Sequence, residues 1–157
     1  MFFPADKITA KAYVYGMIFT LSNRMQCVGD RRGEEVTTMQ CFMMANLMLY
    51  EDYQLNLGQM AQLLGTSRQN ARKTADLLMK KGYMDLQRDK LDGRNIRAAL
   101  TERGKNYYIE REKRESGYLE ELFQGFDEEL IKEMKRGLTD LHENVMKYEQ
   151  KHSEKEN

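Results

Sequence analysis

The chain has 157 residues, enough for one domain with its own core, and with Pro4 as its only proline it shows no visible linker. Two cysteines without a CxxC pair, two distant histidines and no apolar run of ~20 residues exclude a disulfide framework, a zinc-finger motif and a membrane span. The net charge is zero, but the charges are unevenly distributed. Residues 58–97 carry nine basic and four acidic side chains, whereas residues 108–157 carry nine basic and fourteen acidic ones. This asymmetry favours a surface within residues 58–97 that binds a polyanion.

The first predicted helix covers residues 8–25 and is apolar on almost every side. Its apolar positions include Ala12, Tyr15, Ile18, Phe19 and Leu21. A helix of this kind needs burial on several sides, so we expect it to form part of a dimer interface. A second helix opens at Thr37, where Gln40 three residues later completes a capping box, and runs to about Tyr50.

Two short helices joined by a glycine turn come next. Asn56 begins the third helix, and Gly65 ends it. The apolar face of this helix consists of Met60, Ala61, Leu63 and Leu64. Ser67 caps a fourth helix that runs from Arg68 to about Lys81 and ends at Gly82. We expect Leu64, Leu77 and Leu78 to close the small core beneath these helices.

A hairpin and two long helices complete the chain. Residues 83–88 and 95–101 have the alternation and β-branched content of short strands, and Asp92-Gly93 between them is a strong hairpin turn. Thr101 caps a fifth helix through about Phe123, and Asp127 caps a sixth. The sixth helix carries an apolar stripe at spacings of three and four: Leu130, Met134, Leu138, Leu141, Val145 and Tyr148.

A helix-turn-helix followed at once by a hairpin is the winged-helix arrangement, in which the second short helix enters the major groove of DNA. The outer face of the fourth helix gathers polar side chains: Ser67, Arg68, Gln69, Asn70, Arg72 and Lys73. Arginine can bind guanine edges, asparagine and glutamine can bind adenine edges, and serine and lysine can hold phosphates. An ordinary solvated helix face is the less favoured interpretation.

Several motifs together resemble the MarR-type (multiple antibiotic resistance regulator) transcription factors over residues 8–148. They are Thr37-Thr38-Met39-Gln40, Gln59 to Gly65, Lys81-Gly82-Tyr83, Asp92-Gly93-Arg94 and Leu100 to Gly104. The resemblance implies a mainly α (α+β) fold with a single domain over 1–157. Its winged helix-turn-helix would cover about 37–100, and its dimerisation helices about 8–28 and 101–150. Ala71 departs from the pattern, because the family more often has a larger β-branched residue there.

The resemblance also implies a function: a homodimer that binds a pseudo-palindromic double-stranded operator and regulates transcription, most simply as a repressor. In the wing, we expect Arg94 to enter the minor groove and Asp92 to orient its guanidinium; a plain surface salt bridge is the alternative. Phosphate contacts are expected from Arg88, Lys90 and Arg97. Such a protein would be cytoplasmic, and residues 1–4 lack the basic start of a signal peptide.

Three alternatives concern ligands and other functions. Met17, Met43, Met44 and Met48 can line a pliable pocket for a small aromatic effector, although gap-filling core is the favoured interpretation. Cys27 or Cys41 can make the protein a thiol-based redox sensor, but both are expected to be packing residues. The winged helix can also serve protein contacts. No nucleophile motif, phosphate-binding glycine loop or His/carboxylate cluster indicates an enzyme, a metal or a cofactor.

Overall fold

The computed structural model describes residues 9–32, 34–53, 55–88 and 96–153, apart from the side chains of residues 52, 88 and 153. Their order is α1 (Ala10–Asp30), α2 (Thr38–Leu49), a 3₁₀ turn (Glu51–Tyr53), α3 (Leu57–Leu63), α4 (Arg68–Lys80), β1 (Met84–Arg88), β2 (Ile96–Leu100), α5 (Glu102–Leu122) and α6 (Glu128–Ser153). The chain divides into two compact units, Met1–Lys113 and Arg114–Asn157. The mainly helical fold with one small antiparallel sheet is the one predicted.

The predicted helix starts are confirmed by hydrogen bonds to the first turns. Thr37 with Gln40, and Asn56 with Gln59, form complete capping boxes at α2 and α3. The Ser67 hydroxyl accepts from the backbone N–H of Asn70, and the later caps at Thr101 and Asp127 work in the same way. Each cap pairs an amide that the helix itself leaves without a partner, so the polar residues alone mark these boundaries.

The core of the first unit lies between α2, α3, α4 and the sheet. Its fully buried side chains come mainly from methionine, leucine and alanine: Met43, Met44, Met60, Ala71, Ala75, Leu78 and Met84. Helix α1 packs against α2 at its last turn, where Gly29 lies so close that an added Cβ would be 2.2 Å from the Thr38 hydroxyl oxygen. The Asp30 carboxylate then accepts the Thr38 N–H at 2.6 Å.

Three expectations were wrong. Leu77 is 50% exposed and does not close the core, whereas Leu64 and Leu78 are buried in it as expected. Leu63, predicted on the apolar face of α3, is 37% exposed. Helix α1 continues five residues beyond Met25, and Cys27 on this extension is exposed and packs against no core residue.

The wing strands pair antiparallel in a regular register, from Met84 opposite Leu100 to Arg88 opposite Ile96. A short backbone segment before α3 pairs with the other edge of β2, because the Ala98 N–H donates to the Leu55 carbonyl at 2.8 Å and Asn56 bridges to Arg97. The base of the wing is therefore joined directly to the start of the helix-turn-helix.

The second unit consists of the end of α5, from Arg114, and α6. The predicted apolar stripe of α6 is exposed within the chain: Leu130, Met134, Leu138, Leu141, Val145 and Tyr148. Ile131 beside it is exposed as well. The stripe therefore stays accessible to solvent in the single chain.

Helix α5 contains two glycines with very different surroundings. At Gly104 in α5, an added Cβ would lie 2.0 Å from the carbonyl oxygen of Tyr83, whereas at Gly117 on the same helix it would meet no atom within 4 Å. We expect Gly104→Ala to lower the free energy of unfolding by about 1–3 kcal/mol, because the backbone must shift. Gly117→Ala should leave it unchanged or raise it by up to ~1 kcal/mol. Equal urea midpoints for the two variants would contradict the described packing.

Candidate nucleic-acid interface

The turn between α3 and α4 is built from a glycine and a tight set of backbone hydrogen bonds. Gly65 has a φ of 60°, a conformation that other residues adopt only with strain. The Thr66 N–H donates to the Ala61 carbonyl at 2.9 Å and closes the turn. Because Ala61 is small and buried, the two helices can cross closely at this point. The predicted helix-turn-helix is thus present.

Helix α4 has one buried and one exposed face. Ala71, Ala75 and Leu78 are completely buried, so the departure at Ala71 from the family's larger residue allows close packing of the helix. The exposed face carries the side chains predicted to contact DNA: Ser67, Arg68, Gln69, Asn70, Arg72 and Lys73. All six are exposed on α4 or at its N-cap, and together we call them the α4 face.

The side chains of two residues of the α4 face form hydrogen bonds with other residues of the chain. The Ser67 oxygen accepts from Asn70 N–H at 3.2 Å, so its lone pair serves the helix while its O–H can still donate. Arg72 Nε donates to the Asp76 carboxylate at 2.8 Å, and both side chains are 50% exposed. Sequence reasoning missed Asp76, although an acid four residues after an arginine on one helix is a recognisable pairing signal.

The wing is described only at its base. Arg88 is the last described residue of β1, and its side chain lies outside the description. The turn residues Lys90, Asp92 and Arg94 also lie outside the described residues, and their roles remain predictions. Arg97 is half-buried in β2, opposite Gln87, at the edge where the wing joins the segment before α3.

The end of α4 is held by the linker between α1 and α2. Lys81 Nζ donates to the carbonyl oxygen of Glu35 and, at 3.3 Å, to the side-chain oxygen of Gln40. The Tyr83 hydroxyl donates to the Glu35 carboxylate at 2.6 Å, across 48 positions of sequence. The C-terminal end of α4 is thus tied to the start of α2.

Helix α5 holds the same linker from another direction. The Tyr107 hydroxyl donates to the Glu34 carboxylate at 3.1 Å, and Arg111 Nη1 donates to the Val36 carbonyl at 2.8 Å. Arg111 is only 2% exposed. A charged side chain that is removed from water in this way is stable only with close hydrogen-bond or ionic partners. The rings of Tyr83 and Tyr107 lie 4.7 Å apart, centroid to centroid, and connect the two sets of contacts. No sequence signal pointed to these long-range contacts.

The methionines and cysteines are divided between core and surface. Met43 and Met44 are completely buried in the core, as expected for gap-filling residues, whereas Met17 and Met48 are half-buried. Cys41 packs against the core, whereas Cys27 is exposed on α1. Among the described residues, no three His, Cys, Asp or Glu side chains are placed to share a metal ion, and no helix has the length and apolarity to cross a membrane.

Burial shifts the titration of the two linker-binding tyrosines. Removal from water raises the pKa of Tyr83 above its ordinary value of 10.0, and the hydrogen bond to Glu35 raises it further. Burial is also the main cause of the raised pKa of Tyr107, followed by its hydrogen bond to Glu34. A raised pKa in the folded state means that this contribution to stability is complete below pH 10 and is lost as the pH rises through the folded value.

We therefore expect ionisation of Tyr83 and Tyr107 to contribute to the loss of stability at alkaline pH. The free energy of unfolding of the parent should fall above about pH 10, and the double variant Tyr83→Phe/Tyr107→Phe should show a shallower fall. At neutral pH each Phe substitution should cost about 0.5–1.5 kcal/mol for the lost hydrogen bond. Tyr53→Phe, at a largely exposed position, serves as the control. Identical pH profiles for parent and double variant, from urea titrations, would refute the effect.

Comparison with known proteins identifies the fold. No family model and no curated protein matches the chain. Among solved structures, a MarR/EmrR family transcriptional regulator from Acinetobacter sp. ADP1 matches with a TM-score of 0.79 and 17% identity, covering 89% of this chain and 99% of the other. The MepR–DNA complex of S. aureus gives 0.73 and 19%, covering 88% and 99%.

A MarR transcriptional regulator from Methanosarcina mazei Go1 gives a TM-score of 0.71 and 25% identity, covering 87% of this chain and 99% of the other. At these identities the likeness concerns the fold. The similarity to MarR-type winged-helix proteins that the sequence motifs indicated is confirmed at that level.

Proposed function

We propose that the protein is a sequence-specific, double-stranded DNA-binding regulator of transcription. The observation that carries this proposal is the α4 face: a row of exposed hydrogen-bond donors on the second helix of a helix-turn-helix, backed by buried alanines. Such a helix can enter the major groove, where arginine, glutamine and asparagine read base edges and lysine contacts phosphate. Two of the matched structures, MepR of S. aureus and FabT of Streptococcus pneumoniae, are complexes with DNA.

The wing completes the proposed interface. Its base is joined to the start of α3 through Leu55 and Ala98, so the hairpin extends from the same body as the α4 face. We assign minor-groove insertion to Arg94, oriented by Asp92, and phosphate contacts to Arg88 and Lys90. The positive charge of residues 58–97 supports this assignment, since phosphate contacts dominate affinity for DNA.

We further propose that the protein acts as a homodimer on a pseudo-palindromic operator. Within the first unit, α1 exposes a set of large apolar side chains: Val14, Tyr15, Phe19, Leu21, Met25 and Val28. Within the second unit, α6 exposes its own stripe. Apolar surface of this extent is typical of an interface, and a symmetric dimer implies two related half-sites.

Repression, and its release by a small aromatic effector, are further parts of the proposal. They rest on the resemblance of the sequence motifs. Since Met43 and Met44 fill the core, an effector would have to approach the half-buried Met17 and Met48. A DNA-binding role also agrees with the cytoplasmic location expected from the sequence.

DNA binding is tested by its dependence on salt. If a dimer contacts six to ten phosphates, its affinity for duplex DNA should fall about a thousandfold or more between ~50 and ~200 mM salt. Lys73→Ala should reduce the salt slope by about one per protomer, whereas Lys132→Ala, the same charge change on α6, should leave it unchanged. No duplex binding at any salt concentration would refute the function and favour a protein-interaction module.

Dimerisation is tested by sedimentation at micromolar concentration. The parent should sediment as a particle of twice 18.5 kDa. Phe19→Lys should shift it toward the monomer, because a charge would be placed in the proposed interface. Leu49→Lys, at an exposed apolar position on α2, should leave the mass unchanged. A parent that is monodisperse and monomeric with full helical content would contradict the proposal.

A further inference from the structure

The α4 face contains three cations: Arg68, Arg72 and Lys73. Within the described residues, only Arg72 forms an ion pair, and its partner is Asp76. The side chains of Arg68 and Lys73 form no hydrogen bond or ion pair there, and the guanidinium of Arg68 lies beside Gly58 in the first turn of α3. Arg72 is thus the one cation of this face that a carboxylate holds in a defined direction.

The ion pair uses one nitrogen of the Arg72 guanidinium and leaves the other two for a ligand. Only Nε of Arg72 donates to Asp76, at 2.8 Å, and Arg72 has no further hydrogen bond within the described residues. The guanidinium is a planar fork of five N–H groups, so an acceptor at Nε leaves the two terminal nitrogens free and side by side. Two parallel N–H donors are the arrangement that binds O6 and N7 of guanine.

The position of Asp76 places this fork on the proposed DNA side. Asp76 lies seven residues after Gln69 and three after Lys73, so the three share one row of the exposed face, opposite the buried Ala71 and Ala75. The carboxylate also offsets the charge of Arg72, which makes it less attractive to a nearby phosphate and leaves hydrogen-bond geometry to decide where it binds.

Helix stability gives little reason for the pair. An acid that follows a base at four residues is the less stabilising order on a helix, and both side chains are half exposed to screening water. Removing the carboxylate should therefore leave the fold intact, so its effect on DNA recognition can be measured separately.

We propose that Asp76 is a positioning residue that holds Arg72 to read one guanine in each half-site. This inference rests on the proposed DNA-binding function and makes Arg72, rather than Arg68, the arginine that specifies a base. Holding the side chain before binding reduces the conformational freedom lost in the complex, so the correct base gains more than a wrong one.

The test begins with selection of duplexes from a random library by the parent protein. The parent motif should contain one guanine in each half-site that Arg72→Ala no longer selects and that Arg72→Lys selects weakly, because an ammonium lacks the fork. Asp76→Asn should weaken the same position only, and Asp76→Glu should restore it. Glu143→Gln, which removes one negative charge from an exposed pair on α6, should reproduce the parent motif.

Affinity measurements then identify the atoms involved. Replacing that guanine by 7-deazaguanine, which lacks the N7 acceptor, should weaken the parent by part of the about 5- to 150-fold discrimination of a bidentate contact. The same replacement should have no effect on Arg72→Ala and an intermediate effect on Asp76→Asn. Urea midpoints equal to that of the parent would confirm that these variants remain folded.

Three results would overturn the inference. If the parent selects a motif that Arg72→Ala and Asp76→Asn both preserve, the pair is not a reader although the protein still binds DNA. If Asp76→Asn instead removes selection of a cytosine while the guanine is kept, Asp76 reads a base directly. If the parent binds no duplex, the inference fails together with the proposed function.

Discussion

The contact between Gly104 and the carbonyl of Tyr83 determines how the parts of the first unit meet. At Tyr83 the chain leaves α4, enters β1 and is crossed by the first turn of α5, and the Tyr83 oxygen accepts the Thr101 N–H at 3.1 Å. Because Gly104 has no side chain, the first turn of α5 can lie directly against the backbone of Tyr83, the residue before β1. The Tyr83 ring packs against that of Tyr107, and the Tyr83 hydroxyl donates to the Glu35 carboxylate.

This junction connects the end of α4 to the segment between α1 and α2 and to the first part of α5. The linker between α1 and α2 is held at Glu35 by the end of α4 and at Glu34 and Val36 by α5. A displacement of α5 would therefore change the hydrogen bonds that fix the end of α4. Coupling in proteins travels through such contiguous contacts when they have two alternative arrangements.

Features set by local chemistry were predictable from sequence. The capping boxes at Thr37 and Asn56, and the left-handed turn at Gly65, depend on neighbouring residues only, and the structure reproduces them. The exposure of the α4 face was predictable for the same reason, since a helical period sets its polar side chains apart from the apolar positions Ala71, Ala75 and Leu78. Periodicity cannot decide how far an apolar face extends, so Leu77, which was expected to close the core, is half exposed instead.

Features that depend on distant residues were not predictable. The bond from Tyr83 to Glu35 and the burial of Arg111 arise only when segments far apart in sequence are brought together. The expected pair between Asp92 and Arg94 in the wing lies outside the described residues and stays a prediction, and the ion pair between Arg72 and Asp76 on α4 was not predicted. That pair is local and could have been identified from its spacing.

The pairing of Leu55 with Ala98 also bears on how the protein avoids aggregation. A two-stranded hairpin has two edges whose unpaired amides can recruit strands from other molecules. Here the segment before α3 covers part of the β2 edge, and β1, the other edge, has only five residues and exposes the charged Asp85. Short length and charge on an edge discourage growth into larger sheets, so β1 and β2 are poor templates for intermolecular assembly.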